Sequence, residues 1–174
     1  KAFDKVPHNR LLHKLEYYGV QGNTLRWIKP FLSRRTQRVA LEGLTSDEVD
    51  VTSGVPQGSV LGPILFLVYV NDLPDDMSSK VRLFADDCII YREIKSADDT
   101  TKLQEDLALL ETWVQDWQME LHPQKCTSLI VTKKKAPLIG NYTIHNHTLD
   151  RVNAATYLGI TLTSDLSWNT HIDN

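Results

Sequence analysis

An α+β domain is the fold class this sequence predicts, on three observations. Leu103, Leu107, Leu110, Val114, Trp117 and Leu121 recur at spacings of three and four, the period of one long amphipathic helix. Val81–Phe84 and Cys88–Tyr91 are short apolar arms around Ala85-Asp86-Asp87, the pattern of an antiparallel hairpin with acids at its tip. No internal repeat or linker divides the 174 residues, a length that fits one layered domain with its own core.

From the N-terminus, Asn9 is placed to cap a helix carrying Leu11, Leu12, Leu15 and Tyr18, and Gly19 supplies its stop. Asn23 is expected to cap a second helix, with Leu25, Trp27, Ile28, Phe31 and Leu32 as its apolar residues and a kink at Pro30. Gln37–Leu41 alternates like a strand, and Glu48–Thr52 is its expected partner across a Gly43–Asp47 turn. The glycine-rich stretch Ser53–Pro63 leads into the apolar run Val60–Val70, broken by Gly62 and Pro63 and too short for a bilayer span. It reads as a buried helix starting near Ser59. After the polar break Asn71–Asp76 come the hairpin and the long helix, which has Asp98 and Asp99 near its positive end and is expected to cover one face of a sheet. Further strands are expected over Thr127–Thr132, Tyr142–His145, His147–Leu149 and Tyr157–Thr163, with His145-Asn146-His147 as a turn.

Composition narrows the function classes. With 41% hydrophobic and 24% charged residues the chain is neither disordered nor low-complexity. Its 19 basic and 22 acidic residues leave a net charge of −3, so any nucleic-acid contact has to be local. Cys88 and Cys126 form no CxxC pair, which argues against a zinc ribbon or a disulfide scaffold and for a reducing, intracellular setting. The Asn141-Tyr142-Thr143 sequon carries little weight without a secretion signal. Beginning inside a patterned stretch, the chain reads as a fragment of a longer polypeptide.

Two segments carry the chemistry. Adjacent carboxylates at Asp86 and Asp87, flanked by apolar arms, repel unless a cation neutralises them, and hard carboxylate oxygens suit Mg²⁺. The alternative is ordinary turn chemistry on a solvated surface. In Ser53–Pro63, three glycines let backbone approach a ligand ahead of a helix, although the lysine of a Walker loop is missing. The alternative is a loop that only caps a core helix.

Five blocks in order, KAFDKVPH at residues 1–8, SGVPQGSVLGPILFLVYVNDLP at 53–74, FADD at 84–87, LHPQKC at 121–126 and YLGI at 157–160, resemble the reverse transcriptases of non-LTR retrotransposons, especially the jockey-like kind. The resemblance covers essentially the whole chain. It implies a polymerase palm, an antiparallel sheet with helices packed on one face, incomplete fingers and no thumb: a partial reverse transcriptase domain over residues 1–174, truncated at both ends. The implied reaction is RNA-directed DNA synthesis, two-metal nucleotidyl transfer to a 3'-hydroxyl primer. Its partners are an RNA template, a DNA primer and deoxynucleoside triphosphates, with Mg²⁺ as cofactor and Mn²⁺ as substitute, no membrane, and the cytoplasm and nucleus as setting. Oligomeric state is left open.

Carried over residue by residue, the resemblance makes Asp86 the main Mg²⁺ ligand and Asp87 its neighbour. It makes Phe3 the aromatic that stacks under the incoming sugar and excludes a ribose 2'-hydroxyl, against a plain core phenylalanine. Gln57 and Gly58 border the nucleotide and template, so that Phe3 and Gln57 are expected close to Asp86. Lys125 matches the lysine that neutralises departing pyrophosphate, a role suited to an ammonium, against an ordinary surface lysine. Tyr157, Leu158 and Gly159 match the hairpin that grips the primer. In that family an acid precedes the Lys-Ala-Phe-Asp block as third metal ligand; this sequence carries two of the three, and Asp4, on the far side of the aromatic, is read as structural or pairing. The isolated segment is therefore expected to be inactive, and a non-catalytic remnant or domesticated palm fold that at most binds nucleic acid is the alternative function. Apart from the resemblance, Arg34 and Arg35, with Arg38, are read as contacts to template or primer phosphates, against an ordinary solvated basic surface; Lys133–Lys135, His145 and His147 are read as surface, and Trp113 and Trp117 as core.

Overall fold

The computed structural model describes residues 2–172, so Lys1 of the first block and the last two residues lie outside the description. Helices and strands are mixed along the chain, as the α+β expectation requires. Two compact units form: the chain up to Leu73 with Val114–Glu120, and Pro74–Trp113 with the chain from Leu121 onward.

In the first unit a 3-10 turn, Ala2–Lys5, precedes α1 (His8–Tyr17). Pro7, extended at φ −69°, is the cap of α1, and Asn9 lies within the first turn. The Pro7 carbonyl accepts from the Leu11 amide at 3.0 Å, so proline starts the helix without a side-chain cap. Gly19 stops it at φ +85°, as predicted. α2 (Gly22–Leu32) likewise begins one residue before Asn23, whose side chain is taken by Arg26 and caps nothing; Pro30 falls in its last turns. The two helices bury Leu11, Leu15, Ile28 and Leu32.

The next hairpin is more tightly folded than its spacing suggested. β1 (Thr36–Gln37) pairs with β4 (Val49–Asp50), and β2 (Ala40–Leu41) with β3 (Leu44–Thr45), both antiparallel. Glu42 and Gly43, at φ +49° and +81°, make a two-residue turn of the primed type where Gly43–Asp47 was expected. Between the ladders Ser46 replaces a strand partner: its amide donates to the Val39 carbonyl and its hydroxyl accepts from the Val39 amide. α3 (Leu61–Val70) buries Leu65, Phe66, Tyr69 and Val70, but Ile64 and Leu67 are half exposed, so only one face of the expected buried helix is buried.

A cation sits in this core. Lys14, 2% exposed, donates from Nζ to the Tyr69 carbonyl at 2.6 Å and pairs with Asp72 at 2.5 Å. The ammonium lies 3.7 Å from the centre of the Trp117 ring, and the Tyr69 hydroxyl donates to the Trp117 carbonyl. Trp117, read from sequence as core, is half-buried and packs its ring against this ammonium. Burial pushes the Tyr69 phenol well above its ordinary value.

The second unit opens on β5 (Lys80–Phe84) and β6 (Asp87–Tyr91), antiparallel from Lys80↔Tyr91 to Phe84↔Asp87. α4 (Ala97–Asp116) follows; Ser96 and Asp99 box its start, the Asp99 carboxylate accepting from the Lys95 and Ser96 amides, both at 3.0 Å. α4 buries Leu107 and Leu110. It stops at Asp116, and the Gln118 backbone turns to φ +53°, so Trp117 and Leu121 lie beyond the helix their spacing had extended.

β7 (Thr127–Leu129) is shorter than expected and pairs in parallel with β10 (Asp150–Val152). β8 (Thr143–Ile144) and β9 (His147–Thr148) close on the predicted turn, with His145 and Asn146 at φ +48° and +59°. The segment Tyr157–Thr163 is a hairpin in place of one strand: β11 (Ala154–Tyr157) and β12 (Ile160–Thr163) turn at Leu158-Gly159, and α5 (Asn169–Ile172) follows. Among the described residues the strands pair two at a time, and no helix is long and apolar enough to cross a membrane.

A polar knot ties the base of the β5–β6 hairpin. Asp106 on α4, 2% exposed, accepts from the Ser78 amide at 2.8 Å and the Ser79 amide at 2.7 Å, one on each oxygen. Arg92, just past β6, donates to both serine hydroxyls and lies 3.6 Å from the same carboxylate. Desolvation alone would raise the Asp106 pKa; the hydrogen bonds from Ser79 and Ser78 outweigh it and hold the carboxyl below its ordinary 3.8.

Two outcomes are expected in urea unfolding. Lys14→Met strands the Tyr69 carbonyl and Asp72 and should cost about 3 kcal/mol, whereas Lys5→Met, which removes an exposed pair with Glu120, should cost about 0.5 kcal/mol or less. Asp106→Asn offers one acceptor to two amides and should cost about 2 kcal/mol at neutral pH. Because the folded pKa is lowered, the Asp106 contribution is full above the unfolded value and fades as pH falls through the folded one, so the gap between variant and parent should start to narrow only below pH 3.8 and close at still lower pH.

Candidate functional site

In the first unit, residues 3–8 are clasped to the start of the glycine-rich loop. The Val55 amide donates to the Phe3 carbonyl at 2.9 Å and the Gly54 amide to the Val6 carbonyl at 2.8 Å. The Ser53 hydroxyl donates to the Asp4 carbonyl at 2.8 Å, and His8 Nε2 donates to the Gly54 carbonyl at 2.8 Å. Gly54, at φ +89°, approaches so closely that a Cβ would sit 2.7 Å from the Asp4 Cα.

This clasp sets the predicted nucleotide residues. The Phe3 ring stacks on the buried Phe66 of α3, centroids 4.2 Å apart and planes at 10°, while Phe3 itself is half-buried. It therefore rests on the core without disappearing into it. Gln57, exposed, donates from Nε2 to Asp4 Oδ1 at 2.9 Å. Gly58 turns at φ +76° with open space where a Cβ would be. Of the three glycines read as ligand-approaching, only Gly58 keeps that freedom. Gly54 meets Asp4, and Gly62 meets the Pro56 carbonyl, 2.4 Å from a notional Cβ, so those two serve chain packing. Ser59 holds the helix start, donating to the Pro56 carbonyl and accepting from the Gly62 amide; α3 begins at Leu61, two residues after the expected point.

After α2, Arg34 is exposed at φ +56° and Arg35 is half-buried, its Nη1 buried with no hydrogen-bond partner.

In the second unit, the β5–β6 hairpin places both acids as predicted at its tip. Ala85 and Asp86 form the two-residue turn and Asp87 opens β6; all three are solvent-accessible, and the two acids are exposed. Ala85 takes φ +50°, the positive first-position φ of a II′-type hairpin turn, at a residue with a side chain. Phe84 beside it is 60% exposed. The neighbouring Cys88 thiol is pushed up to about 11, by desolvation first and by Cys126 second. Two adjacent carboxylates suit Mg²⁺, which takes one or two protein carboxylates and fills its shell with water and phosphate. No cluster of three or more His, Cys, Asp or Glu occurs among the described residues.

Lys125 ends a 3-10 turn, Pro123–Lys125, with its side chain exposed and its amide donating to the His122 carbonyl. Tyr157 is half-buried at the end of β11, and Leu158 and Gly159, at φ +51° and +79°, form the exposed tip that follows. His145 pairs with Glu111 at 3.4 Å on the surface, in keeping with its bland reading. Asp4, read from sequence as structural or pairing, does pair, with Gln57. Its partner is 53 positions away, and no local pattern signals the contact.

Comparison with known proteins follows the same lines. The family described as "Reverse transcriptase (RNA-dependent DNA polymerase)" matches residues 1–162. The chain is 32% identical over its whole length to the "RNA-directed DNA polymerase from mobile element jockey" of Drosophila melanogaster, covering 20% of that protein. It is 31% identical over 99% of its length to the "Probable RNA-directed DNA polymerase from transposon BS" of the same species, again 20% of it. The jockey polymerase of Drosophila funebris is 29% identical over 99% of the chain and 20% of its own length. The chain thus spans about a fifth of these relatives, and the resemblance read from the five blocks is borne out.

Gly54 and Gly58 share a loop and a positive φ but differ in what surrounds them. Gly54→Ala drives a Cβ into the Asp4 backbone at positive φ and should cost about 3 kcal/mol in urea unfolding, whereas Gly58→Ala meets only the left-handed backbone and should cost about 1 kcal/mol. Equal losses would contradict the clasp.

Proposed function

The chain belongs to the reverse transcriptase family, and from that premise we propose that it forms the palm part of an RNA-directed DNA polymerase of a non-LTR mobile element. In this reading the longer polymerase extends the 3'-hydroxyl of a DNA primer on an RNA template with deoxynucleoside triphosphates, within the cytoplasm and nucleus. The observation that carries it is the β5–β6 turn, which presents Asp86 and Asp87 side by side to solvent on a stiff two-stranded support.

The primer hydroxyl attacks the α-phosphorus of the nucleotide, and pyrophosphate leaves. Asp86 and Asp87 would hold Mg²⁺, or Mn²⁺ in its place, and the bound ion supplies charge neutralisation at the attacking and leaving oxygens. Phe3, backed by Phe66, offers a rigid wall against the sugar, which a 2'-hydroxyl would strike. Gln57 and Gly58 border the nucleotide, one with a side-chain amide and the other with uncovered backbone. Lys125 neutralises the departing pyrophosphate. The Tyr157–Gly159 tip lies along the primer, and Arg34 and Arg35 contact phosphates of the nucleic acid.

The test is primer extension on an RNA template by a full-length polymerase containing this segment. Asp86→Asn, nearly isosteric but without the charge, should lower nucleotide addition by at least about a thousandfold with template affinity unchanged. Phe3→Ala should keep most of the deoxynucleotide rate and gain ribonucleotide incorporation by about tenfold or more. Retained activity in the first together with retained sugar discrimination in the second would overturn the assignment.

A further inference from the structure

The hydrogen bond from Gln57 to Asp4 has a direction, and the direction selects a ligand atom. An ionised carboxylate only accepts, so it admits the Gln57 amide in one sense: Nε2 toward Asp4 Oδ1 at 2.9 Å, Oε1 at the other end. A glutamine free to rotate presents donor or acceptor equally; one held by a carboxylate presents an acceptor. We infer that Asp4 is a positioning residue for Gln57, setting its carbonyl oxygen toward a hydrogen-bond donor of the incoming nucleotide, a sugar hydroxyl or a base amino group. The inference rests on the reading of Gln57 as a nucleotide residue.

Asp4 is well placed for that task because its backbone is fixed independently of its side chain. The Ser53 hydroxyl holds its carbonyl at 2.8 Å, and Gly54 packs against its Cα. The neighbouring backbone is closed on both sides, by Val55 to Phe3 and by Gly54 to Val6. A carboxylate on such a support loses little freedom in holding the amide, and a charge-assisted bond is stronger than a neutral one. The same loop places Gln57 beside Gly58, where no side chain covers the backbone. Removing the Asp4 carboxylate leaves the clasp in place and frees only the amide.

The test is a double-mutant cycle in a full-length polymerase containing this segment. Single-nucleotide addition on an RNA template gives kcat and the nucleotide KM, with template-primer affinity and Tm measured alongside. Asp4→Ala should raise the nucleotide KM about tenfold with kcat, template affinity and Tm little changed. Gln57→Ala should raise KM at least as much, and adding Asp4→Ala to it should change nothing further. Asp4→Asn, which keeps the size and accepts the amide in either sense, should fall between parent and Asp4→Ala and guards against a folding defect in the alanine variant. Additive effects, or an unchanged KM in Asp4→Ala where Gln57→Ala raises it, would overturn the positioning role while leaving Gln57 at the nucleotide. An unchanged KM in Gln57→Ala would remove the reading on which the role rests, and a loss of Tm matching the loss of activity would assign Asp4 to structure alone.

Discussion

Gly54 has no side chain, and much of the first unit depends on that. With any Cβ there, the loop could not close to within van der Waals distance of the Asp4 backbone, and the bonds from Ser53, Gly54 and Val55 to residues 4, 6 and 3 would open together. Those bonds hold Phe3 where its ring can lie on Phe66, and Asp4 where its carboxylate can reach Gln57. A single absent methyl group thus connects a helix core to an exposed amide. Lys14 fixes α1 on the same core through Tyr69 and Asp72, with an aromatic face over its charge.

The second unit solves a different problem, that of holding two carboxylates at an exposed tip. Five residue pairs stiffen the hairpin, and its open end is tied by Asp106, Ser78, Ser79 and Arg92. Within this hairpin the strained backbone is at the tip, where Ala85 takes a left-handed conformation that glycine would adopt at less cost. Support at the base and strain at the apex is the arrangement expected where the position of a side chain matters more than local stability. The proposed function gives that position a chemistry.

Elements with a period were legible from sequence; elements set by one residue's backbone were not. The apolar repeat located α4, but Gln118 in the left-handed region ended it before Trp117 and Leu121, and only the folded chain shows that turn. Alternation located strands near residues 37–52 and 157–163, but the primed turns at Glu42-Gly43 and Leu158-Gly159 divided them differently. The helix caps at Asn9 and Asn23 were misplaced because Pro7 begins α1 unaided and Arg26 occupies Asn23. The acids at the hairpin tip were legible because local pairing builds them. The partner of Asp4 was not, since the contact joins segments 53 residues apart.

The account stands on the β5–β6 turn holding the divalent cation of a polymerase. Fe²⁺ enters oxygen-rich divalent sites, and with peroxide it cuts the backbone near where it binds. Iron-mediated cleavage of a full-length polymerase containing this segment is therefore the most direct measurement. Cuts centred on residues 85–88, suppressed by excess Mg²⁺ and lost in Asp86→Ala, are the result the account requires. Cleavage elsewhere in the polymerase with residues 85–88 intact would contradict it.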